Sequence, residues 1–570
     1  MFLSVFLFSS NFYRPFTFPK VLSLYTFIFF SIIYVILFVL PRYQFKNLKI
    51  WILPLVFILI LLFYALNSSN LYLALFGSYG RFTGFLFWFS LFSLMFISAI
   101  TFENGKILIN SLVYIGVCLT AYSILQYFDS SVVLKSSSYK IIGTLGNPNY
   151  VSTLLGITAT LTVWKILKER IVWKKISFVI LLSFSLFVIT QTKSTQGLFI
   201  FIICTAVYGI SRIIFVNRKL GVLLSVLLIS ALSIGVLGLL QLGPLNQFLY
   251  QYSISLRGDY WRAAINMFKS DIYKGVGIER YGLEFLSYRD ATAALRPDNK
   301  FTDDPHNEIL YFLSGGGIPL ALSYILVLAL VLGISIFGLR KSNIHNRDYV
   351  LILLAAWLGF RIESVISVNQ VTNNVVEWII AGALIALSIN LKEANKRVKI
   401  KLINLRLIYF KISILMIFTL FFTSIFILPK SKADINYANY NRNLGNGMSD
   451  QTLEDKKILI TKVITQEPRE FIYLDSAARF MINTDDIPRA EAILDSLIRL
   501  EPNYYGAYVL QAEIFERKAN LELAIKSRIK VFEIDPFDRS NIQSLKDLYL
   551  RVEKFDKYSE FSSYLEEINP

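Results

Sequence analysis

The sequence predicts an all-α membrane protein: a polytopic bundle of about twelve spans with one large extramembrane loop, then a short α-solenoid. Three observations predict it. Of 570 residues, 55% are hydrophobic and 15% aromatic, and the mean hydropathy is +0.54. Many apolar runs reach the roughly 18–20 residues that a bilayer crossing requires. One long polar interval, 241–309, interrupts those runs, and beyond Pro429 they cease.

The runs lie at about 21–40, 48–66, 84–101, 107–127, 149–167, 176–190, 195–213, 218–240, 316–338, 350–367, 373–391 and 411–428. A helix that is apolar all round shows no period, so length carries each assignment. The opening MFLSVFLFSSNFYRPF is short. It lacks the charged start and small-residue cleavage site of a signal peptide, and reads as an interfacial piece or a remnant of another span.

The net charge of +17 would point to nucleic acid in a soluble protein. Here Lys and Arg gather in short connectors at 41–49, 165–175, 211–219, 338–347 and 392–411. With alternating spans all five fall on one side. Positive connectors mark the cytoplasmic side, so no nucleic-acid partner is expected. The opposite, extracytoplasmic side then receives 67–83, 128–148, 241–309, 368–372 and everything after Pro429. Cys118 and Cys204 lie in apolar runs and give no disulfide framework or metal cluster.

The unusual polar residues collect on that outer face. FGSYGRFTG (76–84) carries Arg81, and TQTKSTQG (190–197) carries Lys193. GTLGNPNY (143–150) is turn chemistry first, though Asn147 and Asn149 are also suited to sugar hydroxyls. Arg361 and Glu363, followed by Asn369, Gln370, Asn373 and Asn374, either face the bundle interior or anchor a helix end.

The loop holds Arg257, Arg262, Arg280, Arg289, Arg296 and His306, one of two histidines. A guanidinium fork matches phosphate oxygens, and histidine exchanges a proton near neutral pH. Together they suit attack of a hydroxyl on a sugar carbon as a diphosphate leaves, with arginine holding the charge that develops. The plain alternative is a helix start, since Asp304-Pro305-His306-Asn307-Glu308 has that composition. The adjacent Asp303 and Asp304 make a weak metal site, and neither metal nor cofactor is expected. His345 sits in a basic connector and is no candidate.

From 431 to 570, Pro468, Pro502, Pro536 and Pro570 recur every 34 residues as QEP, LEP, IDP and INP, the tetratricopeptide period. The runs 490–500 and 521–532 have helical spacing, and Ala507, Ala512 and Ala524 allow close packing. About three stacked helix pairs would offer a groove to a protein or glycan partner. Two domains are therefore expected, 1–430 in the membrane and 431–570 as a repeat tail.

Three segments, GTLGNPNY (143–150), RGDYWRAAINMFKSDIYKGVGIERYG (257–282) and PHNEILYFLSGGGIPL (305–320), resemble the O-antigen ligase and polymerase family of membrane glycosyltransferases. The shared pattern is Arg257 with Trp261 four residues on, Gly275 with Gly277, and His306-Asn307 leading to Gly315 and Gly317. The resemblance spans roughly 75–390. It implies about twelve helices and metal-independent transfer of a glycan from a polyprenyl diphosphate, normally undecaprenyl. Carried over, Arg257 would bind the diphosphate and His306 would activate or position the acceptor. Trp261, Asn307, Asn147 and Asn149 become substrate-binding candidates. The family's hairpin arginine, usually just after a serine, is missing: Thr195 or Gln196 stands there, and Lys193, Arg81 or Arg280 would replace it. The acceptor is left open among a lipid A core sugar, another glycan chain and a protein Ser or Thr. A flippase of the same lipid-linked glycan is the rival class. Clustering of the polar residues on one face, without a duplicated half, argues against it.

Overall fold

The computed structural model describes residues 1–102, 104–129, 139–239, 252–297, 299–341, 344–389, 391–394, 405–442 and 450–568. The start of the polar loop (240–251), together with 130–138, 395–404 and Pro570, lies outside the described residues.

Among the described residues, ten helices are long and apolar enough to cross a membrane: Phe18–Arg42, Leu48–Leu66, Gly105–Tyr127, Pro148–Lys168, Val172–Gln191, Thr195–Val216, Arg218–Gly235, Glu308–Lys341, Val371–Ser388 and Ile408–Arg442. The chain is a multi-pass membrane protein. Two further helices match the remaining apolar runs. Phe85–Thr101 is shorter, and Ile344–Glu363 carries Arg347, Asp348, Arg361 and Glu363. The opening residues form only the five-residue helix Phe2–Phe6, tied down where the Thr372 hydroxyl donates to the Ser4 carbonyl.

The basic connectors meet at one end of the bundle. Tyr43–Phe45 and Lys392–Ala394 pair as a short antiparallel ribbon. Asp348 draws in Lys168 at 2.8 Å, Arg212 at 3.9 Å and the Trp164 indole N–H at 2.8 Å. One carboxylate thus ties two of the connectors, 165–175 and 211–219, to the helix that follows 338–347.

Two expected boundaries shift. The run at 316–338 belongs to a helix that starts earlier, Glu308–Lys341, broken at Gly316 and Gly317. The run at 411–428 continues through Pro429 to Arg442. A π-turn at Thr423–Ile427 precedes the proline, where the altered hydrogen-bond register accommodates a residue without an N–H. The expected boundary near 430 therefore lies inside a helix.

Beyond it, helices begin at Phe471, Tyr505 and Arg539, and their partners at Ile487, Leu521 and Phe555. This is the 34-residue period set by the prolines. The pairs pack through Ala477, Ala490, Ala507, Ala512 and Ala524, all buried, because a methyl side chain lets helix axes approach.

This tail rests directly on the membrane part. Glu501 accepts from Arg280 Nη1 at 2.9 Å and from Asn70 Nδ2 at 2.8 Å. Arg289 Nη2 donates to both Asp535 oxygens at 2.9 and 2.8 Å, with side chains only 2% and 6% exposed. Removing one partner of such a pair strands a buried charge, at a cost of about 3–5 kcal/mol. Arg289→Ala is expected to lower the unfolding temperature and to speed proteolytic release of the tail. Pairing it with Asp535→Leu should restore most of the loss.

Candidate functional site

Two glycine motifs far apart in sequence form one joint that sets the loop against the bundle. The broken helix turns at Gly317, φ +59°. Its exposed backbone accepts and donates across to the loop: Val276 N–H to Ser314 O at 2.8 Å and Ile318 N–H to Ile272 O at 2.9 Å. A Cβ at Gly275 would lie 2.0 Å from Ser314 O, and one at Gly317 2.4 Å from Ile272 O. Only glycine permits backbones this close.

The joint fixes the loop helix Tyr252–Ser270, whose two faces differ. On one, Asp259 is held by Arg262 at 2.6 Å and Arg296 at 2.5 Å. On the other, Arg257 and Trp261 stand one turn apart. Arg257 Nε and Trp261 Nε1 are both buried without a hydrogen-bond partner. Every other arginine named in the loop is ion-paired: Arg262 with Asp259 and Asp290, Arg280 with Glu284 and Glu501, Arg289 with Asp535 and Arg296 with Asp259. Arg257 has no carboxylate partner among the described residues. Burial pulls its guanidinium below the usual range, yet arginine stays charged in proteins. A buried donor left open calls for an explanation, and an acceptor supplied by a ligand is one.

His306 completes the group. It holds a left-handed conformation, φ +57°, costly for a residue with a Cβ. Its backbone N–H donates to Asp304 Oδ1 at 2.6 Å, and Nδ1 lies 3.0 Å from the Asp304 carbonyl oxygen. A carbonyl only accepts, so Nδ1 carries the hydrogen, and a neutral ring then presents its lone pair at Nε2. The ring packs on Tyr260, centroids 5.3 Å apart at 36°. Burial, with help from the charges of Arg81 and Arg257, lowers the His306 pKa to about 4. The resting imidazole is neutral and base-competent.

The remaining candidates divide. Arg81 is forked onto Asp303, Nε at 3.0 Å and Nη2 at 2.8 Å. Burial alone would raise the Asp303 carboxyl, but Arg81 holds it below its ordinary value. Asp304, buried beside this pair, is pushed up to about 7 by desolvation. Asn147 caps its helix by accepting from the Asn149 N–H at 2.8 Å. Asn307 caps the next by accepting from the Leu310 N–H at 3.0 Å and donates to Val365 O at 3.1 Å. The turn before Asn147 is anchored by Lys20, whose ammonium donates to Thr144 O at 2.8 Å. Tyr150, just past it, is within electrostatic reach of Arg81, Asp303 and Asp304. The Asn147 turn therefore borders the site, with capping as the visible role of Asn147.

Lys193 is exposed, at φ +57°, and has no partner among the described residues. Its hairpin is pinned to the Pro148–Lys168 helix by Ser152 Oγ–Ser194 Oγ at 3.0 Å. A Cβ on Gly197 would meet Ser152 O at 2.2 Å. Arg280 is the clear departure from expectation. Its guanidinium is consumed by Glu284, Glu501 and Ser69, so it joins the loop to the tail rather than facing an open site.

Sequence reasoning missed Tyr260 and the part played by Asp304. Tyr260 sits three residues after Arg257, and this helical spacing was the available signal. It also left Arg361 open, which the structure places inside the bundle. Arg361 pairs with Glu308 at 2.6 Å and with Glu377, beside the Tyr324 hydroxyl at 2.7 Å. Glu363 accepts from Asn373 Nδ2 at 2.9 Å. This network braces the helix that starts immediately after His306-Asn307.

The fold and site define a multi-pass helical membrane protein with an arginine and a neutral histidine presented by one loop. Residues 178–325 match the family model described as O-Antigen ligase, a likeness over about a quarter of the chain that supports membrane glycosyl transfer. The matched segment contains Lys193, Arg257, Trp261, Arg280, His306 and Asn307. It is narrower than the resemblance at roughly 75–390 and includes neither Arg81 nor Asn147 and Asn149. No curated protein matches the chain. A solved structure titled "MamA RS-1 ArsTM double mutant" is 16% identical over 28% of this chain and 87% of its own, with a TM-score of 0.22, too low to bear on the fold.

Proposed function

We propose that the protein transfers a glycan from a polyprenyl-diphosphate carrier to an acceptor hydroxyl at the outer face of the bacterial cytoplasmic membrane. The observation that carries this is the buried Arg257 guanidinium, open at Nε, next to a histidine whose tautomer is fixed by Asp304. In this reading Arg257 and Trp261 donate to diphosphate oxygens. His306 Nε2 takes the proton of the acceptor hydroxyl as its oxygen bonds to the anomeric carbon. The carbon–oxygen bond to the diphosphate breaks, and Arg257 balances the charge that the leaving group gains. Neither metal nor cofactor is used, and Lys193 supplies the second cation in place of the family's hairpin arginine. The twelve-span count, the cytoplasmic placing of the basic connectors and the tetratricopeptide nature of the tail belong to the same reading. Among acceptors, a lipid-linked or lipid A core glycan is preferred to a protein.

Purified protein in vesicles, given a polyprenyl-diphosphate glycan and candidate acceptors, should yield glycosylated product and one free polyprenyl diphosphate per transfer. Movement of the donor across the bilayer without product would mark a flippase and end the proposal.

The pH profile is a separate check. The base-competent form of His306 is lost as pH falls through its folded pKa, about 4, not through the ordinary 6.5. The acid limb of kcat/KM should therefore lie near pH 4, leaving activity flat from pH 6 to 7 on this limb. Binding of the anionic donor raises a neighbouring imidazole pKa, so the limb of kcat should lie higher than that of kcat/KM.

A further inference from the structure

A cleft of about 510 Å³ opens between the loop and the repeat tail. Its loop wall includes Asn299, Phe301 and Asp303, and its tail wall includes Tyr504, Tyr505 and Asp538. The tail residues hold equivalent places in successive repeats: Tyr504 and Asp538 stand at helix starts one 34-residue period apart, as do Phe471 and Tyr505. The solenoid therefore turns the same edge of each repeat toward the loop. The walls are held in fixed relation by the buried pairs Arg280–Glu501 and Arg289–Asp535.

The chemistry of the lining is mixed in a particular way. Phe301 is 58% exposed although it touches Phe285 edge-on at 6.0 Å. Tyr504 and Tyr505 add two more partly open rings. Around them stand carboxylate and amide oxygens already engaged within the protein, Asp303 with Arg81, Asn299 with Arg289 and Asp538 with the Tyr505 hydroxyl and its own helix start; such oxygens have further lone pairs that can accept a hydroxyl hydrogen. A sugar ring has an apolar C–H face and a rim of hydroxyls, the complement of such a surface. The lining includes Asp303, held by Arg81, three residues before His306.

We propose that this cleft binds the acceptor as a glycan, with the repeats forming one wall and the reactive hydroxyl directed toward His306. The proposal rests on the transferase reading, including its glycan acceptor, and adds where that acceptor binds and the role of the tail.

The test uses the full-length protein in detergent. The probe is the oligosaccharide fraction released from the host envelope by mild acid, with binding measured by calorimetry. Phe301→Ala and Tyr505→Ala should each weaken binding about tenfold, the scale of one lost aromatic contact. The acceptor KM should rise by a similar factor with the donor KM unchanged. Phe301→Trp should keep binding, and Phe555→Ala, an exposed aromatic outside the cleft, should behave as the parent. Equal unfolding temperatures separate binding from folding, and the exposed Phe301 serves if Tyr505→Ala unfolds. The proposal is overturned if the oligosaccharides do not bind, if neither variant changes binding, or if a Ser/Thr peptide competes where the sugars do not. Calorimetry needs no donor, so sugar binding without transfer would count against the enzyme reading alone. Transfer with an unchanged acceptor KM in both variants would count against the cleft alone.

Discussion

Replacing His306 by alanine is expected to lower kcat by about 10²–10⁴-fold, the usual contribution of a positioned proton acceptor, while donor affinity stays within about twofold. The expectation follows from how the ring is held. Nδ1 is committed to the Asp304 carbonyl and the ring face to Tyr260, so what it offers a substrate is Nε2. Diphosphate recognition by Arg257 does not pass through this ring. His306→Asn should recover little, since an amide cannot take the proton. Asp304→Asn should retain activity, because the oxygen that sets the tautomer is a backbone carbonyl. Steady-state kinetics with separately measured donor binding will check this. Loss of donor binding in His306→Ala would mean that the histidine is a structural element of the donor pocket.

Arg257→Ala is expected to have the opposite signature: kcat/KM for the donor falls by about 10²–10³-fold, the range for deleting one preorganised charge on a leaving group. Arg257→Lys should recover only part, since an ammonium cannot form the planar fork. Stability should hardly suffer. This guanidinium has no ion-pair partner to strand among the described residues, and its desolvation is a cost that the free protein carries. The mutation also removes one of the charges that depress His306, so the acid limb of residual activity should move up in pH. A variant with full donor affinity and an unmoved limb would place Arg257 outside the site.

Much of this architecture is legible in the sequence, because length and apolarity alone fix where membrane helices run. The 34-residue spacing of prolines likewise announces the helix pairs of the tail. The joint at Gly275 and Gly317 is legible only as two separate glycine motifs, because nothing local says that they touch. Arg280 shows the limit most sharply. Five loop arginines look alike as residue types, and only three-dimensional placement shows four of them consumed by carboxylates, two of these on the tail more than two hundred residues away. Arg257 stands out by that subtraction. Asp304 was read as helix-start composition, which it is, while its carbonyl has the further task of fixing the tautomer. The continuation of the last apolar helix through Pro429 was hidden because proline normally ends a helix, and the π-turn that accommodates it has no sequence signal.

The most direct test is a single-turnover experiment with donor prebound to protein, in the parent and in the two variants. The account predicts that the parent converts bound donor to product, that His306→Ala binds donor with parental affinity yet forms none, and that Arg257→Ala fails at donor binding. Transfer at the parental rate by both variants would contradict it.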